Sequence, residues 1–144
     1  MSDEMPTVNR VPSVLFVCVS NRGKSVMAQG LAQKIAGDAV AAGSAGTEAK
    51  VDGRVNELSA QTLAEVGVDV SHHRPRQLTD DLMRAADVTV VVGSAAQVNP
   101  PEGTTLEVWD TDEPSLRGIE GIDRMRAIRD DIATRVTDLI ARLT

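Results

Sequence analysis

A chain of 144 residues, 42% hydrophobic and 25% charged, is the size of one domain with a real core. Its single cysteine excludes an internal disulfide and a multi-thiolate zinc site, and no apolar run approaches the ~18 residues of a membrane span. A formal net charge of −6 argues against nucleic acid and anionic membranes as partners.

Residues 1–10, MSDEMPTVNR, are polar and carry no apolar stretch of the signal-peptide kind. They read as a disordered lead-in to one domain over residues 11–144, and the expected setting is a reduced cytoplasm. Ser13 to Val17 is a short β-branched run that suits a buried parallel strand, closed by Cys18. Met27, Leu31 and Ile35 then fall four apart, one apolar face of a helix with Ser25 as a candidate cap and Gly37 as its stop. Asp38 to Ser44 is a weaker strand. Asn56 to Val66 is a helix ended by Gly67, and Leu82 to Ala86 a short one. Val88 to Val92 is the clearest second strand, and Thr105 to Trp109 a further one. From Ile119 onward, Ile122, Met125, Ile128, Ile132, Val136, Leu139 and Leu143 mark a long amphipathic helix. Its interleaved charges, Asp123, Arg124, Arg126, Arg129, Asp130 and Asp131, read as a solvated face. Strands alternating with helices predict an α/β fold with a mostly parallel sheet, which binds ligands beyond the carboxyl ends of its strands.

The segment Cys18-Val19-Ser20-Asn21-Arg22-Gly23-Lys24-Ser25 lies at such an end, between a strand and a helix start. A tight loop there aims backbone N–H groups inward, and the helix N-terminus adds positive potential, so the site suits a tetrahedral oxyanion. Asn21 and Gly23 are the residues best able to take left-handed backbone angles, and Lys24 brings a full charge. Free cysteines are most often inert core thiols. A glycine, a lysine and a helix start beside Cys18 argue instead for a thiol that ionises readily, helped by the Ser25 hydroxyl. A nucleotide-hydrolase phosphate loop shares the ending Gly23-Lys24-Ser25. It requires glycine where Cys18 stands, and an acidic residue after a later strand where this chain has Gly93 and Ser94. Aromatics are scarce: Phe16 is expected in the core, which leaves Trp109 to line a site. His72 and His73 lie in a loop without metal-ligand spacing. Arg74 and Arg76 either guide an anion or are solvated.

The loop resembles that of the low-molecular-weight tyrosine phosphatases and of the arsenate reductases that share their fold. Cys18, Asn21 and Ser25 match the signature of that family. Ser44-Ala45-Gly46-Thr47 resembles its motif after the second strand, and Trp109-Asp110-Thr111-Asp112-Glu113-Pro114 its late acidic loop. The resemblance runs from about Val14 to Leu143 and implies a three-layer α/β/α fold on a four-stranded parallel sheet. Two positions depart: Lys24 replaces the signature arginine, and Glu113 stands where aspartate is usual. Lysine is a point charge where arginine is a planar fork, so either Arg22 shares the grip or it is a solvated loop charge.

Both departures resemble a subgroup of single-cysteine arsenate reductases that join arsenate to mycothiol, the adduct then being reduced to arsenite by a mycoredoxin. The resemblance implies catalytic roles for Cys18, Lys24 and Glu113. Cys18 attacks arsenic or holds the anion, Lys24 stabilises charge and Glu113 protonates the leaving hydroxide. The N–H groups of Val19, Ser20, Asn21, Arg22, Gly23, Lys24 and Ser25 would bind the anion. Mycothiol enters as co-substrate and mycoredoxin as partner, with no bound cofactor or metal. Thioredoxin-coupled relatives use two further cysteines after the third strand; here residues 93–100 carry none, so a second thiol must come from outside. A phosphomonoester or phosphotyrosine phosphatase, and more remotely a phosphocysteine carrier, remain the alternatives.

Overall fold

The computed structural model describes residues 11–144, and the lead-in expected at residues 1–10 lies outside them. Strand β1 (Ser13–Cys18) is buried from Val14 to Cys18, and β3 (Val88–Val92) along its whole length. The apolar run of β1 and the valine-rich β3, whose one polar residue is the buried Thr89, fit strands covered on both faces. With β2 (Ala41–Gly46) and β4 (Leu106–Trp109) they form one sheet in the order β2-β1-β3-β4, every neighbouring pair parallel.

The strand period of two divides the apolar side chains between two cores. Val14, Phe16, Val88, Val90 and Val92 pack with residues of α1 (Lys24–Ala36), α2 (Glu57–Ala64) and α4 (Gly121–Leu143). Leu15, Val17 and Ala45 face the other way, under Leu82 and Met83 of α3 (Asp80–Ala85) and the nearby Leu78 and Val98. The result is the expected three-layer α/β/α arrangement, with one thick helical layer and one thin. On α4, Met125, Ile128, Ile132, Val136 and Leu139 are buried. Each is worth ~1.5–3 kcal/mol of transfer free energy, which seats a helix whose other face is charged. No helix among the described residues is long and apolar enough to cross a membrane.

Several expectations change. The second strand starts later than Asp38, because Gly37 turns back at φ 55 and residues 37–39 form a 3-10 turn. Asn56 stands before its helix, its side chain accepting from the Ser59 N–H, and Thr79 does the same for α3 through the Leu82 N–H. Pro114–Arg117 form a 3-10 turn where no element was expected. Trp109 does not line a site. It is 4% exposed, tilted against Phe16 with ring centroids 5.8 Å apart, and its N–H donates to Glu107. The charges of α4 are not simply solvated either. Arg129 donates to the Thr62 carbonyl and pairs with Glu65, Asp131 accepts from the Asp112 N–H, and Arg135 donates to the Asp110 carbonyl. The helix thereby grips the acidic loop at residues 110–113.

Candidate active site

The loop that leaves β1 turns its carbonyls outward. Cys18 O accepts from the Thr47 N–H at 3.0 Å, Val19 O from Glu48 at 2.8 Å, Ser20 O from Lys50 at 3.1 Å and Arg22 O from Asn56 at 2.7 Å. With the carbonyls committed to the 47–56 segment, the opposed N–H groups point to the inside. Those of Ser20 to Gly23 donate to no backbone carbonyl or side chain among the described residues. Helix α1 then begins at Lys24, so its first-turn N–H groups join the same concavity. Inward amides at a helix N-terminus form an anion cradle.

Two backbone features hold this shape. Asn21 has φ 58, and among the described residues it is the one non-glycine in the left-handed region. Gly46 at the end of β2 lies directly behind the loop: a Cβ there would come within 2.6 Å of Val19 O and 2.9 Å of Asn21 N. Gly23, in contrast, sits at φ −134 and needs no left-handed freedom. Ser25 is not the helix cap. It lies inside α1, fully buried, with its hydroxyl 2.9 Å from Cys18 Sγ.

Asn21 is the hub behind the cradle. Its Nδ2 donates to Ser25 Oγ at 2.9 Å and to Ser44 Oγ at 3.0 Å. Its Oδ1 accepts from the Arg76 N–H at 2.9 Å and contacts His73 Nε2 at 3.2 Å. Both hydroxyls receive a proton from the amide, so each passes its own onward. Ser44 donates to Gln29 Oε1, and Ser25 is left to donate to the Cys18 sulfur. His73 Nε2 also faces the Asn21 carbonyl, two acceptors that assign the proton to this nitrogen. Burial holds His73 below the ordinary histidine value. It is therefore a neutral brace at pH 7, in the loop that the sequence predicts.

The charged residues are placed less simply. Lys24 Nζ donates to Thr111 Oγ1 at 3.1 Å and lies over Gly93, tying the helix start to the ends of β3 and β4. Arg22 turns its Nε to the Arg54 carbonyl, against Gly53. Neither pairs with a carboxylate among the described residues. Glu113 does not have the surroundings of a proton donor. Arg124 clamps it with two bonds, 2.8 Å to Oε2 and 2.9 Å to Oε1, and the Ser115 hydroxyl adds a third at 2.8 Å. Those donors, Arg124 foremost, lower its carboxyl to about 2, so in this arrangement it is ionised at neutral pH. A cleft of about 220 Å³ joins Ser20, Arg22, Gly23 and Lys24 to Arg124.

Residues 13–144 match the family of low molecular weight phosphotyrosine protein phosphatases. The chain belongs to this family. It is 31% identical over 134 residues to arsenate reductase 1 of Staphylococcus epidermidis, covering 91% of this chain and 97% of that protein. It superposes with TM-score 0.75 and 31% identity on the thioredoxin-dependent arsenate reductase of Corynebacterium glutamicum, over 95% of this chain and 64% of that one. A solved arsenate reductase in its phosphate-binding state gives TM-score 0.77 and 26% identity, over 93% of this chain and 100% of the other. Within the family frame, the residues whose roles sequence reasoning missed are Gln29, Ser44, Gly46, His73 and Arg124. The Ser44–Thr47 motif was visible, but its use, bracing and making room for the loop, depends on a contact across two parallel strands.

Proposed function

We propose that the chain is an arsenate reductase that acts as an arsenate–mycothiol transferase. The observation that carries the reading is a lone cysteine, with a donating hydroxyl on its sulfur, beside a cradle of inward N–H groups. The Cys18 thiolate attacks the arsenic of dihydrogen arsenate: an As–S bond forms, an As–O bond breaks, and the departing hydroxide leaves as water with the anion's second proton. The cradle amides and Lys24 stabilise the added charge on the oxygens. The external thiol then displaces Cys18 at arsenic and carries the anion away as a thiol–arsenate adduct. A mycoredoxin thiolate attacks the adduct sulfur, the S–As electron pair passes to arsenic, and arsenite departs from a mixed disulfide.

The arsenate reductases among its relatives favour arsenate as the anion. The lack of cysteine from Gly93 to Pro100 favours a thiol from outside over an internal relay. A phosphatase reading is favoured by the family itself and by a cradle equally suited to phosphate. Against a phosphotyrosine substrate, the chain has no tyrosine, and Phe16 and Trp109 are both in the core. The test is NADPH oxidation with arsenate, mycothiol, mycoredoxin and its reductase, compared with glutathione and with thioredoxin alone. Turnover with mycothiol supports the proposal; none in any thiol system, with rapid aryl-phosphate hydrolysis, overturns it.

A further inference from the structure

The cleft beside the anion loop holds three cations, and they differ in what occupies them. Lys24 rests on a hydroxyl and Arg22 on a carbonyl, both neutral. Arg124 alone of the three faces an ion, the Glu113 carboxylate, through two parallel bonds. A guanidinium meets a carboxylate and a tetrahedral oxyanion with the same pair of donors, because each presents two acceptor oxygens to the planar fork. Glu113 thus fills the position that an oxyanion oxygen pair would take on Arg124. Both side chains are about a third exposed, 31% and 32%, so water can solvate each of them as the pair parts.

We propose that Arg124 is an anion-binding residue of this site, the guanidinium that the loop lacks at Lys24, and that Glu113 holds it in reserve until an oxyanion enters the cleft. On entry the anion takes the guanidinium and Glu113 is released. Freed of the guanidinium, the carboxylate gains proton affinity, so it can take a proton from the entering dihydrogen arsenate and return it to the leaving hydroxide, which the clamped one cannot do. One pair then accounts for two facts: a family loop without its arginine, and a candidate acid found fully ionised. The inference rests on the proposed function only for the identity of the reacting anion. Binding of the oxyanion itself needs no thiol.

The experiment is calorimetric titration with inorganic phosphate and with arsenate, alone, on Glu113→Gln protein. In that background the counterion is gone and the effect of Arg124 is read directly. Glu113→Gln is expected to bind both anions more tightly than the unmodified chain. Adding Arg124→Gln to it should weaken binding by about tenfold or more, the worth of charge-assisted hydrogen bonds. Adding Arg124→Lys should restore part of that loss. If Arg124→Gln fails to fold in thermal melts, the Arg124→Lys protein is read alone, and loss of the fork should still cost about threefold. A change below about twofold for Arg124→Gln, or for Arg124→Lys when it stands alone, overturns the proposal. Since no electron donor is present, this failure is separate from failure of the reductase reading.

Discussion

Replacing Asn21 with aspartate tests the polarity of the network behind Cys18. The two side chains are nearly isosteric, and aspartate tolerates the left-handed angle that position 21 requires. One oxygen still accepts from the Arg76 N–H and His73. The other replaces Nδ2, which donates to Ser25 and Ser44, and can only accept. Both hydroxyls must then turn their protons to it, and the Cys18 sulfur loses its donor. A hydrogen bond to a charged group is worth ~1.5–3 kcal/mol, so the thiolate should lose reactivity by ~10–100-fold. Iodoacetamide labelling at neutral pH reads this directly, because the chain has one cysteine and the label has one destination. Denatured protein of both kinds should label at equal rates. Native Asn21→Asp protein that labels as fast as the unmodified chain would refute the donor chain from Asn21 through Ser25 to sulfur.

Other substitutions probe the frame. Gly46→Ala drives a methyl into the backbone at Val19 and Asn21 and should weaken phosphate binding about tenfold, because the cradle amides must shift; unchanged affinity would mean the loop yields freely. Lys24→Arg should tighten phosphate binding in calorimetry, and no change would place position 24 on Thr111 rather than on the anion. Glu113 carries a pH signature. Arg124 and Ser115 lower its carboxyl to about 2. In the unfolded chain it titrates near ~4.3. The depressed value means the pair contributes stability above the unfolded pKa and loses it as pH falls toward 2. In urea unfolding, the gap between unmodified and Glu113→Gln protein should be level above about pH 5 and close between about pH 4 and 2. A gap of equal size at pH 6 and pH 3 would contradict the ion pair.

The sheet was legible because its central strands are long apolar runs, and α4 because its apolar spacing never breaks over 23 residues. Strand β2 was misplaced because AAGSAG carries almost no hydrophobic signal; its position comes from pairing with β1 and from Gly37. In the site, local order marks what local chemistry decides: Cys18, Ser25 and the left-handed Asn21 were all visible. What was not visible depends on partners distant in the chain. Ser44 and His73 reach Asn21 from 23 and 52 residues away. Glu113 looked like an acid in its own loop, and only Arg124, one turn into α4, shows why it is ionised.

Single-turnover assay of arsenite tests the central claim most directly. The protein is mixed with arsenate, with and without mycothiol and mycoredoxin, and arsenite is quantified for the unmodified chain and for Cys18→Ser. The account predicts arsenite only when Cys18 and both external thiols are present. Arsenite formed without an added thiol, or by the Cys18→Ser protein, would contradict it.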